Sequence, residues 1–149
     1  MASPSPLDML RERAEETLDA TTQQLGKVRQ NYEQARAQLD QLKDYQLDYQ
    51  QQLVNRAADT GIPVTHLLNY QGFIHSLEKV TQHYSEHVTS CAQAVDRAVC
   101  DWKMDHRRLN AFNTLKTRAD DAAKLKESRQ DQKMMDEFAS QLFARKQSA

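Results

Sequence analysis

The sequence predicts an all-α protein: two long helices forming an antiparallel coiled-coil hairpin, the second helix longer and overhanging at the C-terminus. Two observations carry that expectation. Helix breakers are scarce, because the 149 residues include only three Gly and three Pro, and past Pro6 the one remaining proline is Pro63, close to Gly61. On both sides of that break, apolar residues recur at alternating steps of three and four, the spacing of a coiled-coil seam.

The first helix is expected over about residues 7–59. Its heptad register runs Leu18, Thr21, Leu25, Val28, Tyr32, Ala35, Leu39, Leu42, Gln46, Tyr49, Leu53. Gln46 is a polar intruder, of the kind that sets register at some cost in stability. Upstream, Leu7 and Leu10 are expected off this register, so the seam should fray or stutter there.

Residues 60–64 are expected to turn the chain. Gly61 suits the left-handed conformation that closes a helix. Pro63 suits the first turn of the next helix, where its missing N–H is not needed, and Thr65 is a competing N-cap.

The second helix is expected over about residues 65–145. Its seam runs Leu67, Tyr70, Ile74, Leu77, Thr81, Tyr84, Val88, Cys91, Val95, Ala98, Trp102, Asp105, Leu109, Phe112. A sustained repeat of this length indicates a coiled coil. With the turn near residue 61, residues facing each other have numbers summing to about 122, so Leu7 lies near Leu115. Residues 116–149 are then an overhang within a single domain spanning 1–149. A lone helix gains little from propensity, so this overhang should order fully only against a second protein, or else remain a mobile tail.

Composition narrows the function. Twenty Lys and Arg stand against 21 Asp and Glu, a formal net charge of −1, with the signs interspersed. That disfavours general binding to nucleic acid or a membrane surface. The N-terminal Met-Ala-Ser-Pro-Ser-Pro has neither the basic nor the apolar region of a secretory leader. Cys91 and Cys100 are nine apart, roughly 13 Å of helical rise, too far for a disulfide between them. Two reduced thiols of a cytosolic protein are the expectation.

One stripe near the turn exceeds what the seam requires. Gln38, Leu42, Tyr45 and Tyr49 step by four, three and four, as do Phe73, Leu77, Val80 and Tyr84. At the sum of about 122 they pair as 38 with 84, 42 with 80, 45 with 77 and 49 with 73. Tyr45, Phe73 and Val80 fall outside the seam. Two readings are open: a thickened seam with three apolar positions per heptad, or an exposed patch that docks a partner. Gly72, inside this stretch, is either a tolerated defect or a place of close approach beside Phe73.

His83-Tyr84-Ser85-Glu86-His87 matches the H-x-x-E-H zinc-protease pattern. A catalytic zinc also needs a third ligand, a supporting shell and a cleft, none of which two helices visibly supply. Solvated histidines flanking the seam are the expectation, with no metal, no cofactor and no enzymatic activity. Near the C-terminus, Met134, Phe138 and Leu142 or Phe143 share a helix face, either as an exposed amphipathic end or as a helix that enters a partner's groove.

These segments also resemble a known family. Asp44-Tyr45-Gln46 followed by Tyr49, then Asn69-Tyr70-Gln71 followed by Phe73-Ile74 and Leu77-Glu78-Lys79, and finally Asp131-Gln132-Lys133 with Met135-Asp136-Glu137-Phe138-Ala139 are similar to the FliJ family of flagellar export proteins. The likeness covers nearly the whole chain, including the position of the turn. It departs at Leu67 and Leu68, where the family commonly has an aromatic, and at Gly72, where it has a better helix former.

The resemblance implies a non-enzymatic, two-helix coiled coil of the flagellar type III export apparatus, similar to the central stalk of rotary ATPases. It implies a cytoplasmic protein peripherally associated with the inner membrane at the flagellar base. The implied partners are the hexameric export ATPase FliI, its regulator FliH, the export-gate protein FlhA and the flagellar substrate chaperones, with the free protein mostly monomeric. The family's gate-binding surface corresponds to Gln38, Leu42, Tyr45, Tyr49, Phe73, Leu77, Val80 and Tyr84. The stalk comparison assigns the overhang to the ATPase ring, with Asp131, Gln132, Lys133, Met134, Met135 and Phe138 as its contacts. The alternative is a structural coiled-coil adaptor that self-associates through the stripe.

Overall fold

The computed structural model describes residues 5–148. The leader reading rests on the N-terminal segment, of which residues 1–4 lie outside that range, as does the last residue of the overhang. Two helices make up the fold, α1 (Pro6–Asp59) and α2 (Val64–Gln147), and no strand occurs among the described residues. The protein is all-α, an antiparallel helical hairpin.

The ends of both helices have local causes. Ser5 caps α1: its carbonyl accepts the Met9 N–H at 3.1 Å and its hydroxyl accepts the Asp8 N–H at 3.2 Å. Pro6 follows at the first helical position, where it leaves no donor unsatisfied. At the other end, the Thr60 N–H reaches the Arg56 carbonyl at 3.2 Å, and Gly61 turns the chain with φ at 71°. An L side chain rarely adopts that φ. Pro63 precedes α2 rather than standing in its first turn, and its carbonyl accepts the Leu67 N–H at 3.0 Å. That position uses only the acceptor that proline retains.

The chain divides into two compact units, one formed by Asp19–Met104 and the other by the residues up to Leu18 together with those from Asp105 onward. In the unit containing the turn, every expected seam residue of α1 from Thr21 to Leu53, and of α2 from Leu67 to Trp102, is buried or half-buried. The deepest are Ala35 at 3%, Ala98 at 6%, Leu39 at 7%, Leu25 at 8% and Leu77 at 9% exposure. Alanine ranks first because a short side chain is covered when neighbouring helices approach closely. Trp102 donates its indole N–H to the exposed Thr22 hydroxyl at 3.0 Å, so its polar edge is satisfied at the margin of the seam.

In the second unit, Leu7, Arg11, Ala14 and Leu18 step by four, three and four and are all buried or half-buried. The expected break upstream of Leu18 is therefore absent. Leu7 lies in the same register as the rest of α1, while Met9 and Leu10 point outward. Opposite, Asp105, Leu109, Phe112 and Lys116 are half-buried. Lys116 Nζ lies 2.8 Å from Asp8 Oδ1, tying the start of α1 to α2. That ammonium, then the Ser5 hydroxyl, hold the Asp8 carboxyl below its ordinary value. From Thr117 onward, every described residue is exposed.

Candidate functional site

The eight residues of the turn-proximal stripe all lie in the unit of Asp19–Met104. Helix periodicity puts four on each helix at matching intervals, and the turn at residues 60–63 brings the two sets together. The expected pairs 38 with 84 and 49 with 73 make direct contact. The Tyr84 phenol donates to Gln38 Oε1, and the rings of Tyr49 and Phe73 lie 4.6 Å apart. Gln38, Leu42, Tyr45 and Tyr84 meet, with Gln41, around an open depression of ≈ 450 Å³.

Exposure distinguishes the members of the stripe. Leu77 is buried, and Leu42, Tyr49 and Tyr84 are half-buried, as seam positions should be. Tyr45, Phe73 and Val80 are 51%, 43% and 52% exposed. A thickened seam would have covered these three; the hairpin leaves them facing solvent. Two exposed aromatics and a valine beside a tightly held seam form an apolar surface on elements that are already ordered, which is what a docking surface requires.

Tyr49 anchors this surface. Its ring contacts Phe73, Tyr70 at 5.5 Å and Tyr45 at 6.2 Å, so the exposed aromatics rest on a half-buried one. Sequence reasoning placed Tyr70 in the seam alone and missed what surrounds it. The Arg56 guanidinium donates to the Tyr70 hydroxyl and stands 5.9 Å from its ring centroid. Arg56, His66, Asn69 and Tyr70 extend the aromatic surface toward the turn, around a second open depression of ≈ 490 Å³ shared with Tyr49 and Phe73. A sum of about 122 sets residue 56 opposite 66 and residue 70 opposite 52, so antiparallel numbering alone does not give this pair.

The histidines of the H-x-x-E-H match do not converge on a third ligand. His87 packs edge-on against Tyr84 at 5.4 Å, and its Nε2 stands 3.7 Å from the Cys91 sulfur. Among the described residues, no group of three or more His, Cys, Asp or Glu side chains is placed to hold a metal ion. Gly72 has open space where a Cβ would stand, so no neighbour within this chain requires a glycine there.

The C-terminal candidates lie in the other unit and are all exposed. Met134, Met135 and Phe138 are 67%, 72% and 63% exposed, with Asp131, Gln132 and Lys133 just before them. Large apolar side chains at this exposure on a helix gain little from the fold itself.

The family model described as flagellar FliJ protein matches residues 3–148. The chain belongs to the FliJ family. It is 40% identical to the flagellar FliJ protein of Salmonella typhi over 146 residues, covering 98% of this chain and 99% of that one. It is 38% identical to the flagellar FliJ protein of Escherichia coli (strain K12), over the same proportions. The FliJ likeness thus includes both the turn-proximal stripe and the exposed C-terminal helix. No helix among the described residues of this FliJ-family chain is long and apolar enough to cross a membrane.

Proposed function

We propose that the protein is a non-enzymatic component of the flagellar type III export apparatus that joins the export ATPase ring to the export gate. The observation that carries this reading is the exposure of Tyr45, Phe73 and Val80 on a well-packed hairpin. Gln38, Leu42, Tyr45, Tyr49, Phe73, Leu77, Val80 and Tyr84 form the surface for the gate protein FlhA, with Tyr45 and Phe73 as the aromatic anchors. Leu77 and Tyr49 act by holding those anchors in place. The exposed helix around Asp131, Gln132, Lys133, Met134, Met135 and Phe138 engages the FliI hexamer and promotes its assembly or activity. FliH and the substrate chaperones complete the set of partners. The protein works in the cytoplasm, peripherally at the inner membrane beneath the flagellum.

Two titrations test this. Affinity for the FlhA cytoplasmic domain should fall on Tyr45→Ala with Phe73→Ala, while helix content stays unchanged. ATP hydrolysis by the cognate FliI should rise saturably with added wild-type protein. If FlhA binding is untouched by the double substitution, the gate assignment fails. If sedimentation instead shows a dimer that the same double substitution dissociates, the stripe is a self-association surface.

A further inference from the structure

The first half of the exposed C-terminal helix segregates its charges. Lys126, Arg129 and Lys133 follow one another at steps of three and four, on one face of α2. Together with Ala122, Leu125 and Gln130 they line one open depression of ≈ 400 Å³. Asp120, Asp121, Glu127 and Asp131 occupy the other side of the same turns, with Lys124 among them.

The spacing of Lys126, Arg129 and Lys133 is itself unfavourable for an isolated helix. Neither Lys126 nor Arg129 has an acidic residue three or four positions away in either direction. Their neighbours at those spacings include each other and Lys133, and Glu127 is likewise four residues from Asp131. Like charges so placed destabilise a helix, and opposite charges would stabilise it. Among the described residues, none of the three cations enters an ion pair or a side-chain hydrogen bond. Lys116, one helical stretch earlier, has its carboxylate in Asp8. Lys126 and Arg129 have no such counterpart, since α1 begins at Pro6, which faces α2 near residue 116, whereas Lys133 is followed three and four residues later by Asp136 and Glu137.

We propose that the face formed by Ala122, Leu125, Lys126, Arg129 and Lys133 docks an acidic amphipathic helix of a partner protein. Ala122 and Leu125, the latter 53% exposed, give an apolar footing between the cations. Steps of three and four along this face match carboxylates at steps of three and four on an adjoining helix. A helix is narrow enough to touch this face alone. A nucleic acid is a broader polyanion and would also meet the field of Asp120, Asp121, Glu127 and Asp131. This surface precedes the residues assigned above to the ATPase ring and shares only Lys133 with them.

The test uses the full chain and a fluorescein-labelled synthetic helix carrying Glu at three-four spacing with Leu and Ala between, read by fluorescence anisotropy. Binding should be strongest at low ionic strength. Lys126→Glu with Arg129→Glu should weaken it about 5-fold or more, and a peptide with Lys in place of Glu should bind that variant better than the wild type. Lys126→Gln with Arg129→Gln, which retains helix propensity, should weaken binding in the same direction. Lys124→Glu, on the other side of the helix, should change it by less than about 2-fold. No binding at low salt overturns the proposal, as does equal sensitivity to Lys124→Glu. So does duplex DNA binding as tightly as the peptide with the same dependence on Lys126 and Arg129.

Discussion

Tyr49 of α1 packs against Phe73 of α2 with ring centroids 4.6 Å apart and planes inclined by 44°. The two residues have different burial: Tyr49 is a half-buried seam residue, and Phe73 is 43% exposed. Their contact therefore joins the stability of the hairpin to the surface it presents.

Substitutions should separate those two roles. Tyr49→Ala removes contacts to Tyr45, Tyr70 and Phe73 and should cost about 2 kcal/mol of unfolding free energy in urea. Tyr45→Ala, at an exposed position, should stay within about 0.5 kcal/mol of wild type while weakening FlhA binding. Equal destabilisation by both would mean that Tyr45 is part of the seam.

The three glycines should respond with different signs. Gly26 and Gly72 are helical, and neither has a neighbour within 4 Å of an added Cβ. Gly26→Ala and Gly72→Ala should each stabilise by about 0.5–1 kcal/mol. Gly61 has equal space but a φ of 71°, so Gly61→Ala should destabilise by about 1 kcal/mol. If Gly72→Ala abolishes FlhA binding while raising stability, the glycine serves close approach of that partner beside Phe73.

Acid should weaken the start of α1. The Lys116 ammonium and the Ser5 hydroxyl lower the Asp8 carboxyl from its ordinary 3.8. A carboxyl depressed in the folded state contributes stability that is present above its unfolded value and is lost as pH falls through its folded value. Amide exchange at Leu7 to Leu10 should therefore be faster in Asp8→Asn than in wild type at neutral pH. The difference should close well below pH 3.8, and high salt should narrow it. A difference that persists in acid would assign the effect to packing.

The exposed C-terminal helix should matter to partners more than to folding. Met134→Ala with Phe138→Ala removes two side chains that are 67% and 63% exposed. The urea midpoint should barely move, by about 0.5 kcal/mol at most, while stimulation of FliI falls. A clear loss of stability would show that these residues pack within the chain.

The thiols should differ in reactivity. Cys100 is exposed, and Cys91 is half-buried beside His87. A disulfide reagent should label Cys100 first, and the order of labelling in single Cys→Ser variants checks this.

Much of the fold was legible because its determinants are local or periodic. Every seam residue named from Leu18 to Leu53 and from Leu67 to Phe112 is buried or half-buried, since a long heptad repeat leaves one face to bury. The misreadings were also local. Counting back from Leu18 by four, three and four reaches Ala14, Arg11 and Leu7, but the polar Arg11 and the apolar Leu10 obscured that register. Ser5-Pro6-Leu7-Asp8 is a helix-start signal, and Ser5 caps α1. Pairs such as Arg56 with Tyr70 and Trp102 with Thr22 depend on rotamers across two helices, which periodicity does not specify.

The amino-acid order alone sets the number of helices, the place of the turn and the seam of each helix. Breaker residues act within a few bonds, and periodicity needs only one helix to be expressed. Only the packed hairpin decides that Tyr45, Phe73 and Val80 stay in solvent while Leu77 and Tyr49 do not. Exposure of a residue beside the seam depends on how closely the opposite helix approaches and how far round it reaches, and that distance is set by side chains on both helices together.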